Sequence, residues 1–114
     1  MDIVISVGLN VKGEEPSGQA QKTLSWLART LEDADVKAIG LFNSEWQGIP
    51  ERCIQVRVAA GMARDLAREL GAAATVLGQE SIAVINPKFH RWLLIAPDGG
   101  ISQGATKAEF PILV

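Results

Sequence analysis

The run "NPKFHRWLLI", residues 86–95, sets Phe89, His90, Arg91 and Trp92 side by side at the start of an apolar stretch. Aromatic faces next to a guanidinium and an asparagine amide suit a ligand made of a base and a phosphate. The rings stack on the base and the arginine grips the phosphate oxygens. The same residues also fit a hairpin loop in which Phe89 and Trp92 anchor the core and Lys88, His90 and Arg91 meet water. A second group is "NSEWQGIPERC", residues 43–53, where Trp46 sits among the turn formers Asn43, Ser44, Gly48 and Pro50. That composition predicts a long loop between two strands, with Trp46 either capping the core or walling a pocket beside Arg52. Taken as one site, Arg52, Arg57 and Arg91 are the phosphate contacts, and Trp46, Phe89 and Trp92 are the stacking faces. His90 is then a hydrogen-bonding member, or an acid–base group oriented by Glu80 or Glu45.

Other chemistries fit less well. One His and one Cys do not make a zinc site, and no carboxylates fall at EF-hand spacing, so no metal and no cofactor are expected. Cys53 is expected on a strand and His90 in a distant loop, which disfavours a nucleophilic pair. "GLNVKGEEPSG" is a glycine-bearing turn from strand to helix, a place where amides can hold an anion. However, Glu14 and Glu15 already complement the positive helix end, and Lys12 is the lone base there. It reads best as a capped helix start.

The elements that must hold these residues follow from periodicity. Ile3, Ile5, Val7, Leu9 and Val11 alternate with Asp2, Val4, Ser6, Gly8 and Asn10, giving a first strand. Pro16 suits the first turn of a helix whose apolar stripe is Ala20, Leu24, Leu27, Ala28 and Leu31. On that helix Trp26 is read as outward, sharing a face with Lys22, Arg29 and Asp33. It is there either covered by cationic stems or in contact with a subunit or ligand. Val36 to Phe42 is a second strand, and Ile54, Val56 and Val58 mark a third. In the second helix Gly71 resembles a terminator. Yet Ala59, Ala63, Leu66, Leu70, Ala73, Ala74 and Leu77 keep one phase through it, so the helix is expected to run to Leu77 with Gly78 as its cap. Ser81–Ile85 and "RWLLIAP" are two further strands, separated from the tail by the turn "PDGG". The tail "EFPILV", with Phe110, is apolar and is expected to be buried, as an added strand or against another subunit.

The order β-α-β-β-α-β-β predicts a ferredoxin-like α+β fold over residues 1–114. It is a single domain with helices on one face of a mainly antiparallel sheet and an extra C-terminal strand or strands. An apolar share of 47% supports a folded core. A net charge of −2, with 13 acidic residues against 11 basic ones, provides no overall basic field for nucleic acid or anionic membrane. The opening "MDIVISVGLN" lacks a basic region and a long apolar run, and the single cysteine fits a reducing compartment, so the expectation is cytoplasmic.

The strand with "VGLN", the segment "WQGIPERCIQV" and "LGQESIAVI" after a helix resemble short proteins encoded by phages and prophages. Some small phage proteins of this size oligomerise and sequester nucleotide signals of host defence, such as the Thoeris anti-defence sponges. The resemblance implies no site residues. The expected function is therefore a non-enzymatic homo-oligomer binding a small nucleotide-like ligand at Trp46, Arg52, Arg57, Phe89, His90, Arg91 and Trp92. Trp26, Arg29 and Phe110 are its candidate interface residues. The alternatives are a dimeric ferredoxin-like enzyme using His90 and a module that blocks a protein partner.

Overall fold

A computed structural model describes residues 2–59, 63–86 and 91–103. The elements are β1 (Asp2–Gly8), α1 (Gln19–Thr30), β2 (Val36–Trp46), β3 (Ile49–Ala59), α2 (Ala63–Leu77), β4 (Ile82–Asn86), β5 (Arg91–Ile95) and β6 (Ile101–Gln103). All neighbours pair antiparallel in one sheet of order β2-β3-β1-β4-β5-β6. This is the ferredoxin-like split βαβ arrangement, extended by β5 and β6 beyond β4. No helix among the described residues is long and apolar enough to cross a membrane.

Register divides the sheet into two faces. Ile5 pairs with Val56 and Val7 with Ile54, and these residues pack with Leu27, Leu31, Leu66, Leu70, Ala73, Ala74 and Leu77 of the helical layer into the main core. The alternate residues Val4, Ser6, Cys53, Gln55, Ala83 and Ile85 point to the other face and are buried as well. A strand with both faces buried reads as a near-continuous apolar run, and "IVISV" is one broken only by Ser6.

Three expectations change. The inward row of α1 is Gln19, Thr23, Leu27 and Leu31, whereas Leu24 is 41% exposed and Ala28 is exposed. The polar member Gln19 is buried because its Nε2 donates to the Leu77 carbonyl at 2.9 Å, satisfying an end carbonyl of α2. The helix also starts at Gln19 rather than at Pro16, because Gly18 takes a left-handed conformation at its N-cap and breaks the phase there. Thirdly, "NSEWQGIPERC" is a hairpin. Strand pairing continues to Trp46 opposite Ile49, and only Gln47 and Gly48 turn, both with positive φ, as a type I′ turn requires. The alternation of Phe42, Ser44 and Trp46 with Asn43 and Glu45 drove pairing through residues that favour turns.

Gln47 at φ 51 is a non-glycine residue in a region that asparagine tolerates better. Gln47→Asn is expected to raise stability by about 0.5 kcal/mol, read as a higher thermal midpoint.

The expected end of α2 holds. Gly78 has φ 67, its N–H donates to the Thr75 carbonyl, and the Gln79 N–H donates to the Ala74 carbonyl at 2.9 Å. That paired set is a Schellman motif. Gly71 lies within the helix, where its missing side chain lets the backbone of Ala96 and Gly99 approach.

Candidate functional site

The hairpin of β2 and β3 reaches past the end of β1, whose ladder stops at Gly8 opposite Cys53. Residues 44–51 therefore project as a two-stranded arm. On the face away from the helices, this arm walls a cavity of about 180 Å³. The sheet residues Ser6, Gly8, Cys53 and Ala83 form its floor. Ser44, Trp46, Ile49 and Glu51 of the arm form one wall. Opposite stand Asn10, Lys12 and Gly13 after β1, and Gln79, Glu80 and Ser81 after α2. Lys12 and Gly13 both have positive φ and form a second tight turn, closed by the Val11–Glu14 bridge. Two such turns thus flank the opening.

Glu51 is the centre of the site. Two residues before Cys53, its carboxyl folds back over Gly8, where a Cβ would lie 2.2 Å from Oε1. The glycine is needed here for close approach. The Asn10 backbone N–H donates to Glu51 Oε1 at 3.0 Å. Partial burial raises the Glu51 pKa above the usual carboxylate value, and this outweighs the opposing pull of the Asn10 N–H. Asn10 also ties the walls together. Its side-chain amide donates to the Pro50 carbonyl at 3.2 Å, and its own carbonyl accepts from Gln79 Nε2 at 2.8 Å. Ser44 Oγ donates to the Glu51 carbonyl at 2.6 Å, which fixes the arm from within. The carboxyl is therefore held by one backbone N–H, that of Asn10, which is itself tied to the arm and to Gln79, so the acceptor is preorganised through its partner.

Gly8→Ala tests this arrangement. The added methyl meets only the flexible end of Glu51, so the thermal midpoint should hardly move. The carboxyl must leave its place, so the Asn10 N–H loses its acceptor, read as a change in the Asn10 amide chemical shift.

Of the residues expected at the site, Trp46 lines the cavity, and so does Glu80, whereas Glu45 alternates to the face of Arg52. Arg52 and Arg57 do not line it. Arg52 alternates to the other face and forms a two-bond pair with Glu15, its Nε 2.8 Å from Oε1. The guanidinium holds the Glu15 pKa below its usual value. Arg57 Nε donates to Asp2 Oδ2 at 2.8 Å, two register positions beyond Gln55 from the cavity floor. Arg91 and Trp92 begin β5 opposite Asn86 and Ile85, and their side chains lie outside the described part. Phe89, His90 and Phe110 lie outside the described residues. Trp26 is not fully outward: it is half-buried and packs against the main core, with the Arg29 guanidinium 5.5 Å above its ring. Glu51, Gly8 and Asn10 were missed by the sequence reading. The signal available for them was the period of two running through Trp46, Gln47-Gly48 and Glu51, which turn-forming composition masked.

Fold and site together define a ferredoxin-like α+β domain with a carboxyl-centred cavity on the sheet face away from its helices. No family model matches the chain, and no curated protein does. Among solved structures it is similar to a phage SAM lyase in its apo state, at 16% identity and a TM-score of 0.42. The match covers 93% of this chain and 89% of that one.

Proposed function

We propose that this protein binds a small nucleoside-like ligand in the cavity beneath the β2–β3 arm. The observation that carries the reading is the placement of Glu51 and Trp46 on one wall of a half-open cavity. A carboxylate accepts from the N–H edge of a base, and an indole offers it a stacking face. The volume of about 180 Å³ compares with about 150 Å³ for a protein cavity that holds benzene, room for one ring system. The remainder of the ligand would lie in the mouth between the two tight turns.

The charges of the lining refine the ligand class. Glu51 and Glu80 line the cavity with one lysine, Lys12, whereas Glu45 alternates to the face of Arg52. Arg52 and Arg57 are engaged elsewhere with Glu15 and Asp2. Such a lining favours a neutral or cationic nucleoside over a phosphorylated one. The ligand is held rather than converted in this reading, and the acidic lining sets it apart from a phosphorylated nucleotide signal. A second reading is proton-transfer catalysis. It moves from His90 to Glu51, whose raised pKa and fixed orientation suit an acid or base.

Calorimetry against adenosine, cytidine, AMP, NAD and SAM tests the proposal, with product analysis after incubation. Saturable binding with adenosine or SAM tighter than AMP is the expected result. No binding by any of the five would overturn it, and turnover of a bound compound would favour the second reading.

A further inference from the structure

The two edges of the sheet are unlike. Among the described residues β6 spans only three, a short edge. β2 is eleven residues long, and no described strand pairs with its outer side. Its apolar side chains have no helix above them: Ile39 is 59% exposed, Leu41 51% and Val36 40%. Register places Ile39 beside Val56 and Leu41 beside Ile54, so they continue the core-facing rows past the last covered strand. The usual guards of an edge are sparse here. A register irregularity at Val36–Ala38 and one lysine, Lys37, protect only the start of the strand.

We propose that two copies of this chain pair antiparallel through β2, forming one continuous sheet across a two-fold axis near Gly40 and Leu41. The charges on the strand select this direction. Its cation, Lys37, lies near the beginning, where its ammonium also pairs with Asp35 at 2.7 Å, and its anion, Glu45, lies near the end. Antiparallel pairing brings each Lys37 toward the partner's Glu45, whereas parallel pairing would set like charges side by side. The same direction groups Ile39 and Leu41 of both copies at the centre, where Gly40 offers no bulk on the opposite face. An interface of this kind is isologous, so it closes at two copies rather than growing into a fibre.

Light scattering coupled to size exclusion, at micromolar concentration, is expected to give twice the chain mass. Ile39→Lys should yield a monomer with an unchanged far-ultraviolet spectrum, because that side chain is largely exposed and adds little to folding. Lys37→Glu should weaken the dimer by at least about tenfold, and the double variant Lys37→Glu/Glu45→Lys should restore it. A monomeric native chain overturns the proposal. So does an assembly whose mass survives Ile39→Lys, or a charge reversal that the second reversal does not rescue.

Discussion

Glu51→Gln is expected to weaken ligand binding by about 10- to 100-fold, the worth of a hydrogen bond to a charged group at 1.5–3 kcal/mol. The amide still accepts from the Asn10 N–H and still fits over Gly8, so the cavity keeps its shape. What it loses is the negative charge. Stability should respond in the opposite direction to affinity. The folded-state pKa of Glu51 is raised by burial, so the folded chain keeps its proton to higher pH than the unfolded chain. That contribution is fully present below the ordinary carboxylate value of about 4.3 and is lost as pH rises through the folded value. The glutamine variant lacks the titration. Its thermal midpoint, relative to the native protein, should therefore rise as pH increases above the ordinary carboxylate value of about 4.3. Affinity for a neutral or cationic ligand should follow the charge, falling as acid protonates Glu51. Thermal melts and calorimetry across this pH range check both arms.

Gly71→Val should destabilise the fold by about 1–3 kcal/mol through overpacking. Helix propensity alone predicts gain on replacing an interior glycine, since glycine costs about 1 kcal/mol relative to alanine. The packing predicts loss. A Cβ at Gly71 would lie 3.0 Å from the Ala96 carbonyl oxygen and 3.1 Å from the Gly99 backbone. These are backbone atoms of the turn between β5 and β6, and Gly99 itself has positive φ, so the turn cannot simply yield. Chemical denaturation of the variant decides which effect wins. A midpoint above that of the native protein would show that the turn moves aside.

Period and phase carried the fold. The continuous phase from Ala63 to Leu77 overrode Gly71 because burial of one helical stripe outweighs one glycine. The α1 stripe was misread for the converse reason. Gln19 and Thr23 are polar yet buried, and a hydrogen bond across 58 residues of sequence makes Gln19 acceptable inside. Local apolar counting has no access to such a partner. Trp46 was legible as a candidate, but its setting was not, because Asn43, Ser44 and Pro50 carry turn signals that tertiary pairing suppressed. The arginines Arg52 and Arg57 looked available for phosphate because their partners, Glu15 and Asp2, stand 37 and 55 residues away. Glu51 depends on Gly8 and Asn10, which only the β1–β3 ladder brings to it.

The central claim is that the cavity under the β2–β3 arm is the ligand site and that Glu51 is its acceptor. Amide chemical shifts of the labelled protein titrated with adenosine test this most directly. The predicted result is saturable shifts gathered at Gly8, Asn10, Glu51 and Gln79, and their loss in Glu51→Gln. Shifts absent from these four residues, or gathered instead around Arg52 and Arg57, would contradict it.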